Sequence, residues 1–322
     1  MKKTNHSLVI TKNGTDNMKR KRIITNPFDA SHKTMFNEFP KEYTNSIGIP
    51  GNFRRKISPQ VNLKNGTQGE MDSAYIADPD GEQIFEQVAV GLEHRSVPVD
   101  DGKLNKFGDY DIQLVHDHQL PTLIAVASHL NQNKTKKILK RSPSDITKPY
   151  YSDLGEENIS QKLNNITNII NNNKIPNNDE AINLGVIVLY TPRDRACEIT
   201  STVAELYSKI AKDLDEKMEY VLFNVICTMI DAYFDDEKEY QRLIKMMKTA
   251  TTEKSVEKFD SEIYFIEAYE RTKEAYERTK ERFDNYRAKT EETIEKLTTE
   301  NENKILKLTT EIEQLKKQLN KK

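Results

Sequence analysis

The stretch VAVGLEHRS, residues 88–96, decides which fold the rest of the chain must fit. Branched apolar residues alternate along it with small or charged ones, and a side-chain period of two is typical of a β-strand. One side of the predicted strand is an apolar wall, whereas the other carries two small residues followed by Glu93 and Arg95. A carboxylate beside a fixed cation suits the docking of a metal ion or a phosphate. The alternative interpretation is a solvated pair on a half-exposed strand.

A second predicted strand, residues 71–77, precedes this one and carries Asp72. The turn sequence Pro-Asp-Gly at 79–81 separates it from the predicted strand 84–95, because Pro fixes φ and Gly supplies a positive φ. The two strands therefore form a predicted hairpin with carboxylates on both arms. Small residues beside those carboxylates are expected to leave room for a metal ion or a phosphate, and they are Ala74, Ala89 and Gly91.

The segments around the hairpin predict an α/β core with a mixed sheet. A helix is expected from Pro27, because apolar residues follow it at helical spacing. Another helix is expected from about Asp100. The apolar run at 120–127 reads as a short buried strand. The predicted order is helix, strand, strand, helix, strand.

The motif Glu93-His94-Arg95-Ser96 resembles the Glu-His-Gln-Ser motif of the Rpn recombination-promoting nucleases, also described as YhgA-like transposases. This family belongs to the PD-(D/E)XK nuclease superfamily. The resemblance includes the upstream Asp72 and the early amphipathic helix at 26–36, and it covers residues 25–130 and, more weakly, the chain up to residue 250. Arg95 stands where the family usually has Gln and the superfamily usually has Lys.

The resemblance implies a restriction-endonuclease-like fold and Mg²⁺-dependent cleavage of DNA. Asp72 and Glu93 would hold the Mg²⁺ ion, and Arg95 would stabilise negative charge. Arg95 cannot act as a base, because a guanidinium stays protonated. The alternative is an inactive nuclease fold that works as a coiled-coil interaction or scaffold module, and both Arg95 and the long charged tail favour it. Candidate contacts to DNA phosphates are Arg54, Arg55 and Lys56.

Composition narrows the class of protein. Hydrophobic residues make up 36% of the chain and charged residues 31%, and the net charge is −2, so any DNA binding must come from a local patch. Cys197 and Cys227 lie in apolar helical patterns and are predicted to be buried free thiols in a reducing compartment. No apolar run is long enough for a membrane span, and no secretory signal is visible, so a cytoplasmic location is predicted.

The chain divides into three predicted parts. Residues 1–24 are polar and expected to be disordered. Residues 25–250 form the predicted nuclease-like domain with a helical C-terminal part. Within it, residues 131–180 are expected to be loops with one helix at about 156–171, and the apolar run at 184–190 fits either a strand or a helix.

Residues 251–322 are predicted to form a long charged helix or coiled coil. Of the 70 residues from Glu253 onward, 17 are acidic and 16 are basic, so the segment cannot form a core alone. One interpretation is a single solvated helix. The other is a coiled coil that gives weak homo-oligomers, because Ile and Leu alternate at spacings of 3 and 4. The seam consists of Ile305, Leu308, Ile312, Leu315 and Leu319.

Overall fold

The computed structural model describes residues 22, 24, 26–62, 68–80, 86–95, 99–128, 139–142, 145–147 and 149–319. The predicted disordered segment 1–24 lies outside this part of the chain, apart from Arg22 and Ile24. The chain separates into two compact units, Met1–Ser261 and Glu262–Lys322.

The first unit is mixed α/β and the second is helical. The helices are α1 (Pro27–Glu38), α2 (Pro40–Ser46), α3 (Asp101–His118), α4 (Glu156–Asn171), α5 (Asn178–Tyr190), α6 (Ala196–Ile210), α7 (Glu216–Tyr233), α8 (Glu237–Ala250) and α9 (Glu253–Leu319). The strands are β1 (Asn52–Lys56), β2 (Gln60–Asn62), β3 (Gln68–Glu70), β4 (Ser73–Asp78), β5 (Val88–His94), β6 (Thr122–Ser128), β7 (Leu139–Ser142), β8 (Asp145–Thr147) and β9 (Tyr150–Asp153).

A five-stranded mixed sheet forms the centre of the first unit. Its strand order is β1-β4-β5-β6-β9. The pairs β1–β4 and β4–β5 are antiparallel, whereas β5–β6 and β6–β9 are parallel. The parallel pair β5–β6 needs a crossover, and α3 supplies it. This arrangement confirms the predicted α/β class and mixed sheet.

Helix α3 covers the sheet face that carries Ala74, Ala89 and Gly91. Phe107, Tyr110 and Leu114 of α3 belong to one buried apolar cluster with Ala74, Ala89, Ile124 and Val126 of the strands. The N-terminus of α3 is fixed by Asp100, whose carboxylate accepts the backbone N–H of Lys103 at 2.7 Å. The face predicted to dock a ligand is therefore filled by a helix.

The expectation that the small residues leave space for a ligand is wrong. A Cβ atom on Gly91 would lie 2.6 Å from the Sδ atom of Met71 and 3.0 Å from the Cδ1 atom of Ile124. Gly91 is small because Met71 and the apolar side chains under α3 approach its backbone closely. Any metal or phosphate must bind beyond this packed region, where β4 begins and β5 ends.

The opposite sheet face packs against α1, α2 and α5. Phe36 of α1 contacts Tyr75 of β4 with ring centroids 5.8 Å apart. The ambiguous run at 184–190 belongs to helix α5, which opens with a capping box of Asn177 and Glu180. Its apolar residues are buried nearly all round, because it lies between the sheet side and α6 and α7.

Two strands of the main sheet were not predicted from the sequence. The basic cluster at 54–56 is part of β1, an edge strand, and β9 lies inside the segment 131–180. The sequence of β9, Tyr-Tyr-Ser-Asp, has no apolar alternation, and it becomes a strand by pairing with β6. Pairing with a neighbour, rather than local preference, decides such short edge strands.

The C-terminal helix α9 confirms the predicted long helix. Its apolar side chains from Tyr269 to Ile312 are exposed, with Tyr276 at 69% and Ile305 at 64%. Cys227 is buried as predicted, but Cys197 is exposed, because it lies on the outer face of α6; neither forms a disulfide. Within the described ranges, no helix combines the length and apolar character that crossing a membrane requires.

Candidate functional site

Asp72 lies one residue before β4 rather than within it. Its Oδ2 atom accepts the backbone N–H of His94 at 2.7 Å, so the carboxylate is tied to the end of β5. The β4–β5 register ends with Ser73 opposite Leu92, so Asp72 lies just beyond the paired strands. Asp72 lines a cavity with His94 and Tyr190, whereas Glu93 pairs with Lys103 of α3.

Glu93 is a buried carboxylate with one strong cationic partner. Only 2% of its side chain is exposed, and its Oε2 atom lies 2.7 Å from the Nζ atom of Lys103 on α3. Its Oε1 atom is buried and has no hydrogen-bond partner among the described residues. Because an unpaired buried carboxylate oxygen is costly, this atom marks a place where a ligand would be stabilising.

The environment of Glu93 favours its protonated form. Burial and, to a smaller extent, the negative charge of Asp72 together raise the pKa of Glu93 to about 7, against the opposing effect of Lys103. The influence of Asp72 means that the two carboxylates are close enough to interact. A cation brought between them would relieve this repulsion.

Arg95 follows β5 and lines a cavity of about 640 Å³ together with Asp72. Its backbone N–H donates to the carbonyl of Ala127 at 2.9 Å. Its Nε atom is buried and, within the described part of the chain, has no hydrogen-bond partner. Asp72 and Arg95 thus meet at one cavity, whereas Glu93 lies in the wall behind it.

His94 packs in a polar aromatic cluster on the other sheet face. Its ring stacks on that of His32 with centroids 3.6 Å apart, and its Nδ1 atom lies 2.6 Å from the hydroxyl of Tyr190. Tyr43 contacts both His32 and Tyr190 through its hydroxyl. Burial lowers the pKa of His94 to about 3 and holds the pKa of His32 well below its usual value, so both rings are neutral near pH 7.

The basic cluster of β1 is partly engaged within the molecule. The Nε atom of Arg54 donates to both carboxylate oxygens of Asp78 at 2.8 Å. Lys56 donates to the carbonyl of Asn37 at 2.6 Å. Asp78, the partner of Arg54, is at the far end of β4 from Asp72. Six residues of strand separate the two ends of β4 by roughly 20 Å. Arg55, the third predicted phosphate contact, is also exposed, and it has no ion pair with a described residue.

Helix α1 ends with another acidic residue, Glu38. Glu38 pairs with Lys217 at 3.0 Å and does not join Asp72 and Glu93. Among the described residues, no group of three or more His, Cys, Asp or Glu side chains is arranged to hold a metal ion. The candidate site is therefore a two-carboxylate site with Lys103 and Arg95 beside it.

Sequence reasoning missed Lys103 and His32, although each left a signal. Lys103 precedes Phe107 by four residues and so continues the buried stripe of α3, where a cation needs a partner. His32 lies midway between Phe28 and Phe36 on the buried stripe of α1. A polar residue in the phase of a buried stripe is the pattern that would have found both.

Comparison of the chain with protein-family models, with curated proteins and with solved structures gives no match. The function is therefore inferred from the geometry of Asp72, Glu93, Lys103 and Arg95.

Proposed function

We propose that this protein is a Mg²⁺-dependent DNA endonuclease of the Rpn type with a restriction-endonuclease-like core. The observation that carries the proposal is the pairing of Asp72 with a buried Glu93 whose Oε1 atom has no partner. The order α1, β4, β5, α3, β6 around these residues fits the order expected for such a core.

The two carboxylates suit Mg²⁺ better than other common metals. Mg²⁺ prefers oxygen ligands and often uses one or two carboxylates, with water and substrate phosphate completing its shell. Asp72 and Glu93 would hold it. When bound, the ion would supply a Lewis acid for the scissile phosphate and lower the pKa of a water molecule.

Lys103 supplies the lysine that the superfamily usually has at the position of Arg95. An ammonium can lose its proton, whereas a guanidinium remains charged. With the carboxylates free of metal, Lys103 neutralises Glu93 at 2.7 Å. During cleavage its ammonium would orient the attacking water, and Arg95 would stabilise the negative charge that develops on the phosphate.

DNA and a second copy of the chain are the proposed partners. Arg55 is the most available of the β1 cations for a DNA phosphate, because Arg54 and Lys56 already have partners. The exposed seam of α9, which includes Ile305, Leu308 and Ile312, supports weak homo-oligomers. Two catalytic sites in one assembly would address both strands of a duplex.

A plasmid-nicking assay with Mg²⁺, and with EDTA in its place, tests the proposal. Asp72→Asn and Glu93→Gln should each reduce Mg²⁺-dependent nicking at least about 100-fold, as expected when a metal ligand is removed. Glu38→Gln is the matched control and should nick at the wild-type rate, since Glu38 pairs with Lys217. Equal rates for all four proteins would disprove the site.

The rival function is an inactive nuclease fold that acts as a coiled-coil scaffold. The burial of Glu93 and its ion pair with Lys103 favour it, because a purely structural pair would look the same. A folded wild-type protein that nicks no DNA with Mg²⁺ or Mn²⁺ would rule out the nuclease function and leave the scaffold function as the candidate.

A further inference from the structure

The cavity beside Asp72 is larger than a metal site needs. Its volume of about 640 Å³ lies within the range of roughly 300–1,000 Å³ typical of small-molecule sites. It is bordered by the ends of α1, α5, α7 and β5, which contribute Phe28, Tyr190, Tyr233 and Arg95. Such a volume holds one nucleotide, but it is too small for a DNA duplex, whose major groove alone is about 12 Å wide.

The walls combine aromatic rings with guanidinium groups. Phe28 and Tyr233 meet edge to face with centroids 5.9 Å apart, and Tyr233 is held by a hydrogen bond from its hydroxyl to the carbonyl of Val188 at 3.1 Å. Arg22, Arg95 and Arg193 line the cavity, against two carboxylates, Asp29 and Asp72. Aromatic rings stack on bases, and guanidiniums bind phosphate oxygens.

Two residues that line this cavity each have a buried polar atom without a partner in the part of the chain that the structure describes. The Nε atom of Arg95 and the Nε2 atom of His94 are both buried without a hydrogen bond to any described residue, and both residues line the cavity. Buried polar atoms are normally paired, so a ligand that reaches them would be stabilised. A phosphate oxygen suits Arg95, and a polar atom of a base or sugar suits His94.

We propose that this cavity binds one unpaired nucleotide, with its base against Phe28 and Tyr233 and its phosphate on Arg95 and Arg193. The substrate class is then single-stranded nucleic acid, or a strand end or extruded base, rather than an intact duplex. This inference deepens the proposed nuclease function and rests on it, because it names the nucleotide that lies beside Asp72 during cleavage.

Binding of 2′-deoxyadenosine 5′-monophosphate, measured by calorimetry in EDTA, tests the cavity without any cleavage. Inorganic phosphate and deoxyadenosine serve as separate probes. The monophosphate should bind more tightly than either, and Arg193→Gln and Tyr233→Leu should each weaken it at least about fivefold. Tyr233→Phe keeps the ring and should retain binding. Arg242→Gln, another exposed arginine, is the matched control and should bind as the wild type does.

Three results would overturn the inference. In the first, the folded wild type does not bind the monophosphate. In the second, phosphate alone binds as tightly as the monophosphate. In the third, Arg193→Gln and Tyr233→Leu both bind the monophosphate as the wild type does. A further arm compares cleavage of a single strand and a fully paired duplex in Mg²⁺, where the single strand should be cut at least about tenfold faster. A protein that binds the monophosphate but cuts nothing loses the nuclease function and keeps the nucleotide site. One that cuts both substrates equally contradicts the single-stranded substrate class and keeps the nuclease function.

Discussion

At the scale of single residues, Glu93 decides how the site responds to pH. A carboxylate is usually solvated, but this one lies under α3 with Lys103 as its one close cation. The charge of Asp72 and the loss of water both favour the protonated form. Proton, lysine and metal therefore compete for the same two oxygen atoms.

The stability of the metal-free protein should depend on pH through Glu93. Its pKa is about 7 in the folded state against an ordinary value of 4.5, so between these values the native state binds the extra proton. The free energy of unfolding from this group therefore falls as the pH rises across that window. Glu93→Gln lacks the titration. In urea unfolding with EDTA, its stability relative to the wild type should be higher at about pH 8 than at about pH 5.

The comparison between the two proteins cancels the titration of all other groups that behave alike in both. Asp78→Asn, in the exposed pair with Arg54, is a suitable control and should not show the same trend. A relative stability of Glu93→Gln that is constant, or that falls with pH, would contradict the raised pKa.

Lys103 should matter for stability as well as for activity. Lys103→Met leaves Glu93 buried without its cation. Breaking a buried ion pair in this way lowers the free energy of unfolding by about 3 kcal/mol. The loss should be smaller below pH 7, because Glu93 then takes a proton. The double variant with Glu93→Gln should recover most of the loss. Lys106→Met, one turn along the same helix, should cost under about 1 kcal/mol, since Lys106 forms no close ion pair with Glu93.

Chemical denaturation of the wild type, Lys103→Met, Glu93→Gln and the double variant gives the coupling between residues 93 and 103. Additive effects of the two changes would mean that the ion pair contributes nothing, and the account of the buried site would then fail.

At the scale of helices and strands, local pattern predicted those elements that carry their own periodicity. The alternation at 88–94 and the helical stripe from Phe28 are visible in the chain, and β5 and α1 confirm them. Strand β9 and the face covered by α3 were not predictable, because they depend on which distant segments meet. Lys103 was not predicted for the same reason, because it reaches Glu93 only through the packing of α3 on the sheet.

The seam of α9 yields a test with a control built into the helix. Leu308 belongs to the seam with Ile305 and Ile312, whereas Leu306 is out of phase, although 58% and 67% of the two leucines are exposed. If the seam joins two copies, Leu308→Glu should abolish self-association and Leu306→Glu should leave it unchanged, because only a seam position is buried between helices.

Light scattering over a wide concentration range measures the effect. The association should be weak, since the seam spans about two heptads and its register shifts after Leu297. A monomeric mass for the wild type at every concentration would leave α9 as a single solvated helix.

At the scale of the whole molecule, the two compact units should differ in how they open. Amides of β5 and α7 lie in a buried core and should exchange with deuterium only through global unfolding. None of the described side chains between residues 262 and 290 is buried, so the amides of this segment should exchange far faster. Hydrogen exchange read by mass spectrometry separates the two, and equally slow exchange in both would contradict this division.

The basic residues of β1 have a consequence that concerns solubility. An edge strand presents unpaired backbone groups to which another sheet edge can add. Arg54, Arg55 and Lys56 are exposed on that edge, and the strand is interrupted by a bulge between Phe53 and Arg55. Charge and irregularity both prevent edge-to-edge pairing, so this cluster protects the folded sheet from aggregation whether or not it ever touches a phosphate.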